Sequence, residues 1–209
     1  MEGKGVSSVP DRRQLLVQML PAGAFACLLC RNGLAAAGQT KGAAPPAKNK
    51  FQAPCEMSYE ELFQFAYVYG FIPSMKAMGA EVGREKLVEM LTRASSTAAV
   101  EQVRERLKNN PKNDLATYTA DLRNPIPLFK HAITFKLVED TPTAFEARIT
   151  ECLWAKTFRE ADAADIGYAC LCHTDVAATP AFNPKMKLIL TTTLMQGNDC
   201  CNPRYVMEA

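Results

Sequence analysis

The sequence has little net charge and no basic stripe. Its 209 residues include 24 lysines and arginines against 22 aspartates and glutamates, a formal net charge of +2 at pH 7. Seven of the basic residues but only two of the acidic ones precede residue 51, so the rest of the chain is slightly acidic. Nucleic-acid-binding domains carry a basic face, and this distribution therefore predicts no nucleic-acid partner. The 48% of hydrophobic residues is enough to bury a sizeable core, as in a globular domain.

The chain also lacks a hydrophobic run long enough for a permanent membrane span. The mildly apolar stretch at residues 15–30 is shorter than the ~20 apolar residues that a spanning helix needs. We therefore expect no permanent span, and ask instead whether this stretch is part of an export signal.

Residues 1–37 contain the parts of an export signal in the right order. Arg12 and Arg13 precede the apolar stretch, and small residues before Gly38 favour cleavage there. Paired arginines before two leucines resemble the twin-arginine motif, and weak hydrophobicity with a basic Arg31 also favours that route. We expect a twin-arginine signal read by the Tat export machinery, and a mature protein that is periplasmic or otherwise extracytoplasmic. A core helix that begins with two arginines is the alternative.

The composition changes again after the predicted signal. Residues 38–54 are rich in alanine, glycine, proline and lysine, with almost nothing to bury, and this is typical of a flexible linker. We therefore expect one folded domain at residues 55–209.

Helical patterns dominate the first half of this domain. Ser58 and Glu61 have the spacing of a capping box and predict a helix over about 58–70. Apolar residues between Gly83 and Asn110 recur at helical spacing and predict one or two further helices, and Asp114 to Arg123 predicts a short one. The aromatic and methionine residues of this region are expected to be core; they are Phe63, Phe65, Tyr67, Tyr69, Phe71, Met75, Met78 and Met90.

After residue 131, apolar residues alternate with polar ones instead of recurring at helical spacing. Residues 133–138 and 145–150 predict an antiparallel hairpin, residues 185–195 a third strand and residues 205–207 a fourth. His131, at the start of the first strand, is expected on the surface. The predicted fold is therefore α+β, with N-terminal helices packed on a small antiparallel sheet and an inserted cysteine-bearing helix.

The side chains that carry chemistry are concentrated between Cys152 and Arg204. This stretch holds five of the eight cysteines, the only tryptophan and one of the two histidines. It also contains Gly167 within a predicted helix, where glycine costs ~1 kcal/mol relative to alanine. We expect that Gly167 allows a close approach to another element.

The predicted helix at residues 162–178 divides the polar residues between two faces. At 100° per residue, Cys172 and Asp175 lie on one side, and Cys170 and His173 lie on the other. Only one of these pairs can face a small site unless the helix is broken. The sequence leaves open which pair it is.

A set of residues in this stretch occurs in a characteristic order: Cys152 followed by an aromatic residue, Gly167, Cys172-x-x-Asp175, Phe182-Asn183-Pro184, Thr191 to Leu194, and Gly197-x-x-x-Cys201. Together they resemble the L-2-amino-thiazoline-4-carboxylic acid hydrolase family, over roughly residues 130–208 and more loosely from residue 56. The resemblance implies a hydrolase that acts on carbon–nitrogen bonds other than peptide bonds. Its small-molecule substrate would be a cyclic amidine with C=N and C–S bonds.

The first interpretation of the cysteine-rich stretch is a hydrolytic site without metal. Ring opening needs attack on the amidine carbon, a proton for the leaving atom and stabilisation of the tetrahedral intermediate. A cysteine nucleophile or an aspartate base, a neutral amide donor and an arginine that anchors a carboxylate are residues of the right types. The candidate catalytic residues are Cys172, Asp175, Cys201 and Asn183, and the candidate substrate-binding residues are Arg204 and Thr193.

Two other interpretations stay open. Cys152, Cys172 and Cys201, with Asp175 or His173, are candidate ligands of a zinc or iron ion that would activate water. Alternatively, the six cysteines of the mature chain are structural and form disulfides. The corresponding alternative function is a non-catalytic exported protein that binds a metal or ligand and is the partner of a larger exported enzyme.

Overall fold

The computed structural model describes residues 56–208. The predicted signal at residues 1–37, the predicted linker at residues 38–54 and Cys55 lie outside this range. Within the described residues, no helix has both the length and the apolar character needed to cross a membrane.

The described chain combines many helices with one small sheet. The helical elements are α1 (Tyr59–Phe63), a first π segment (Gln64–Phe71), α2 (Ile72–Val82), α3 (Arg84–Asn109), α4 (Leu115–Tyr118), α5 (Ala120–Arg123), α6 (Pro127–Ala132), α7 (Leu153–Glu160), α8 (Ala164–Gly167), a second π segment (Tyr168–Cys172), α9 (Thr174–Phe182) and a 3₁₀ helix (Leu194–Gln196). The strands are β1 (Ile133–Asp140), β2 (Ala144–Cys152), β3 (Met186–Ile189) and β4 (Arg204–Met207). The predicted α+β class is confirmed.

The sheet is antiparallel with the strand order β1-β2-β4-β3. The predicted hairpin forms from β1 and β2, and β4 pairs with β2 through Phe145 and Tyr205. The third strand is shorter than predicted and ends at Ile189. Beyond it, the Asn202 side chain accepts hydrogen bonds from the N–H groups of Thr191 and Thr192, so the backbone leaves the sheet.

The first helix begins as predicted but presents a different face to the core. Ser58 and Glu61 form the expected capping box, and hydrogen bonds from Ser58 lower the pKa of Glu61. Phe65 and Tyr69, predicted to be core, are 70% and 76% exposed. A π helix has more residues per turn than an α helix, so residues four apart face the core here. The buried residues at this spacing are Phe63, Tyr67, Phe71 and Met75.

Two hydrophobic clusters form the core, and α3 contributes to both. The helical cluster is built around Phe63, Tyr67, Leu87, Trp154 and Phe158. The sheet cluster is built around Val103, Tyr118, Phe145, Phe182 and Tyr205. Because Leu87 and Val103 lie on the same helix, α3 fixes the position of one cluster relative to the other.

Gly167 makes the close approach that the sequence predicts. A Cβ atom at this position would lie 2.8 Å from the Sδ atom of Met195 and 2.8 Å from the ring of Phe158. Both side chains are fully buried, at 1% and 0% exposed. The absence of a side chain at Gly167 therefore allows the α8 backbone to pack against α7 and the 3₁₀ helix.

We expect Gly167→Ala to lower the free energy of unfolding by about 1–3 kcal/mol, because the added methyl group overpacks a filled core. Urea unfolding followed by circular dichroism measures the loss. Gly70→Ala is the matched control, because its added Cβ would meet nothing closer than the Phe65 carbonyl at 3.6 Å. A loss at Gly167 no larger than that at Gly70 would contradict the packing argument.

Candidate functional site

A cavity of about 260 Å³ is lined by residues from both hydrophobic clusters. Ala99 and Val103 of α3 form part of its wall, and Trp154 and Tyr205 contribute from α7 and β4. The cavity is smaller than the ~300–1,000 Å³ of pockets that hold drug-sized molecules. Its size therefore suits a small ring compound.

The second π segment determines which polar side chains reach the cavity. The N–H of His173 donates to the carbonyl of Tyr168, five residues earlier, at 2.9 Å. The predicted continuous helix is therefore interrupted, and Cys170, Cys172 and Asp175 all line the cavity. His173 is not among the lining residues, and its ring packs near that of Tyr168, with centroids 6.1 Å apart.

The second π segment is held by a buried hydrogen bond from α3. The hydroxyl of Ser95 donates to the carbonyl of Ala169 at 2.7 Å, and both residues are buried. In an α-helix that carbonyl would accept from His173, whose N–H is used elsewhere. Ser95 thus supplies a donor where the helix geometry changes.

Cys201 reaches the cavity from the loop that precedes β4. Its backbone exchanges two hydrogen bonds with Ile149 of β2, at 2.9 and 3.0 Å, and its Sγ accepts from the Leu194 N–H at 3.2 Å. Thr193 lines the cavity as well, but its hydroxyl caps the 3₁₀ helix by bonding to Gln196.

Burial keeps three of the cavity thiols protonated. It raises the pKa of Cys170 to about 12. Burial is also the main cause that raises the pKa of Cys152 to about 11, against the nearby Ala155 and Trp154 amides, which lower it. The pKa of Cys201 is raised for the same reason. Because the thiolate is the nucleophilic form, these three cysteines are poor nucleophiles at neutral pH.

The structure does not contain the disulfides of the third interpretation within the described residues. Their five cysteines, Cys152, Cys170, Cys172, Cys200 and Cys201, are not bonded to one another. In the same part of the chain, no three or more histidine, cysteine or acidic side chains are arranged so that they could hold a metal ion. The predicted ligands Cys152, Cys172, His173 and Cys201 thus do not form such a group here.

Two predicted site residues lie elsewhere. The amide of Asn183 donates to the Asn113 carbonyl at 2.8 Å and accepts from the Lys185 N–H, so it holds a turn together. The guanidinium of Arg204 donates to Glu139 at 2.8 Å and lies 3.7 Å from Glu146. Neither Asn183 nor Arg204 is among the described residues that line the cavity.

The cavity also includes residues that the sequence did not single out. Tyr118 comes from α4, Asp121 from α5, and Thr119 lies between these two short helices. The sequence predicts a short helix there, but nothing in its pattern shows that it packs against the cysteine-bearing region. Their contribution follows from tertiary packing alone.

Comparison with known proteins gives a family match and matches to solved structures. The model of a family described as L-2-amino-thiazoline-4-carboxylic acid hydrolase matches residues 63–205, which include every cavity residue named above. A crystal structure of a trafficking protein particle complex subunit 3 from Naegleria fowleri, covalently bound to palmitic acid, is 10% identical. The match covers 72% of this chain and 95% of that chain, with a TM-score of 0.40. No curated protein matches the chain significantly.

The raised pKa of Cys170 predicts a pH-dependent stability. An unfolded thiol loses its proton near pH ~8.5, and the folded one retains it until about pH 12. Between these values the unfolded state binds fewer protons, so the free energy of unfolding falls as the pH rises. Cys170→Ala should make this fall less steep, by up to about 1.4 kcal/mol per pH unit.

Urea unfolding of the wild type and Cys170→Ala from about pH 8 to 11 measures this difference. Val103→Ala is the control, since it removes buried apolar atoms but no ionisable group. It should lower the stability by a similar amount at every pH. Parallel pH profiles for Cys170→Ala and the wild type would contradict the prediction.

Proposed function

The chain belongs to the L-2-amino-thiazoline-4-carboxylic acid hydrolase family, and we propose that it hydrolyses a small cyclic amidine containing C=N and C–S bonds. The observation that carries the proposal is the cavity itself. It brings Cys172, Asp175 and Cys201 to one site of about 260 Å³, although Cys201 lies far from the other two in sequence. Family membership supports the reaction class, and the cavity supports the place where it occurs.

The proposed reaction consumes one water molecule. Water adds to the amidine carbon while the Asp175 carboxylate accepts one of its protons, and the ring nitrogen takes this proton as its double bond to the carbon becomes single. The bond from this carbon to the ring sulfur or nitrogen then breaks, and the remaining hydroxyl proton of the adduct passes through Asp175 to the atom that leaves. The product is an open chain with a carbonyl group where the amidine carbon was.

Water, rather than a thiol, is the proposed nucleophile. Three of the four thiols that line the cavity have raised pKa values and retain their protons. A neutral thiol is a weak hydrogen-bond donor. We therefore assign Cys201 to the wall that shapes the site and Asp175 to proton transfer. Cys172, which lines the same cavity, is the alternative nucleophile.

Replacing the proposed base should remove activity. We expect Asp175→Asn to lower kcat by about 10²–10⁴-fold, the usual contribution of a general base, because an amide cannot accept the proton. Mass spectrometry of 2-amino-2-thiazoline substrates, with and without a 4-carboxylate, measures ring opening. Asp162→Asn is the matched control, since its side chain is 91% exposed and is not among the residues that line the cavity.

Other outcomes would redirect the proposal. If Asp175→Asn kept most of its activity and Cys172→Ala lost it, Cys172 would be the nucleophile. If the wild type bound the ring without opening it, the alternative function, a non-catalytic binding partner of a larger exported enzyme, would be favoured.

We also propose that the protein acts outside the cytoplasm after twin-arginine export. The sequence order of Arg12-Arg13, an apolar stretch and small residues before Gly38 supports this location.

The double variant Arg12→Lys, Arg13→Lys should remain in the cytoplasm as the full-length precursor. The wild type should be recovered from the extracytoplasmic fraction with Gly38 as its first residue, as cell fractionation and N-terminal sequencing would show. Arg31→Lys is the control and should be exported. A wild type found only in the cytoplasm with residues 1–37 attached would contradict the proposal.

A further inference from the structure

The first π segment, together with the residues on either side of it, exposes an uncharged surface to solvent. Every fourth residue from Phe63 to Met75 is buried, and the residues of two neighbouring rows are exposed. Phe65 and Tyr69 are the largest of these, at 70% and 76% exposed. We call this surface the outer stripe, and its members are Leu62, Phe65, Ala66, Tyr69, Pro73 and Ala77.

The charged residues that flank the outer stripe are engaged within the chain. The ammonium group of Lys76 donates to the Ala161 carbonyl at 3.0 Å and lies 3.6 Å from the Asp162 carboxylate. The carboxylate of Glu61 accepts from the N–H of Ser58 in the capping box. The stripe therefore presents an apolar surface that carries no charge of its own.

The apolar area of the outer stripe is large enough for a specific protein interface. Aromatic side chains bury about 150–250 Å² each, so Phe65 and Tyr69, both about three-quarters exposed, together offer about 300 Å². Leu62, at 38% exposed, adds to this area. A small specific interface buries about 600 Å² on each partner, of which about 60% is apolar. The stripe thus supplies most of the apolar area that a small dimer needs.

The properties of the outer stripe favour a second copy of the same chain as its partner. In a two-fold contact a surface packs against itself, so every charge in it would lie near a like charge. The outer stripe has no charge to repel its copy. Its aromatic side chains project beside the small side chains of Ala66 and Ala77, so the same surface offers both projections and gaps for packing between helices.

A membrane surface is a less suitable partner for the outer stripe. Helices that lie on membranes carry lysine and arginine on their polar face. Between Tyr59 and Val82, Lys76 is the only basic residue, against three glutamates. We therefore propose that the outer stripe is the two-fold contact between two copies of this chain. This proposal is independent of the reaction proposed above.

Sedimentation velocity of the purified protein from about 1 to 100 µM tests the proposal. We expect the mass to rise to twice that of the chain within this range. The double variant Phe65→Lys, Tyr69→Lys should weaken association by roughly tenfold or more, because it brings unpaired like charges into the contact. Val138→Lys is the matched control and should leave association unchanged, since Val138 is 54% exposed but lies on β1, outside the stripe.

A mixing experiment identifies the surface that the stripe contacts. The double variant Phe65→Glu, Tyr69→Glu should also fail to dimerise alone. An equimolar mixture of the lysine and glutamate variants should form heterodimers, because stripes of opposite charge then face each other. A stripe that binds some other surface of the second copy would not be restored in this way. Circular dichroism checks that the variants are folded, as expected when the replaced side chains are exposed.

Several results would overturn the proposal. They are a wild type that stays monomeric over the whole range, a dimer that Val138→Lys disrupts and the lysine double variant does not, and a mixture without heterodimers. A monomeric wild type that co-sediments with phosphatidylethanolamine–phosphatidylglycerol vesicles, and loses this binding in the lysine double variant, would assign the stripe to a membrane instead. None of these experiments measures ring opening, so their failure would leave the proposed reaction unaffected.

Discussion

The site depends on a change of helix geometry that one buried hydrogen bond stabilises. Ser95 on α3 donates to the carbonyl of Ala169 at 2.7 Å, at the point where the N–H of His173 goes to Tyr168 instead. A net contribution of about 0.5–1.5 kcal/mol is usual for such a hydrogen bond, so Ser95 ties the second π segment to α3 at this point. The second π segment then brings Cys170, Cys172 and Asp175 to the same cavity, which a regular helix would not do.

The other wall of the cavity depends on the packing around Gly167. Because Gly167 has no side chain, Met195 and Phe158 pack directly against its backbone. Met195 belongs to the 3₁₀ helix, whose first residue, Leu194, donates its N–H to Cys201. The position of the Cys201 thiol thus follows from a glycine more than thirty residues earlier. Both walls are set by elements that pack on α3 or α7, and both walls also contribute to the hydrophobic core.

Much of the fold could be predicted from local sequence patterns. Where the observed structure differs from the prediction, the cause is tertiary packing. The capping box of Ser58 and the close approach at Gly167 follow from rules that concern neighbouring residues or a single side chain. The exposed positions of Phe65 and Tyr69 do not, because the sequence gives no local sign of a π helix. Likewise, the third strand ends where the side chain of Asn202, from a later part of the chain, accepts hydrogen bonds from the backbone. Asp121 lines the cavity only because of tertiary packing. Sequence spacing singled out Cys172 and Asp175, which line the cavity, but it did not predict the elements that surround them.

The raised thiol pKa values also bear on where this protein works. Oxidation of a cysteine starts from its thiolate, and burial keeps Cys152, Cys170 and Cys201 in the thiol form at neutral pH. Such thiols persist in an oxidising compartment, so export as proposed is compatible with reduced cysteines around the site. A buried thiol also behaves as a small hydrophobic side chain. An apolar cavity wall therefore explains the concentration of cysteines in this stretch, and the proposed reaction assigns proton transfer to Asp175, which lines the same cavity.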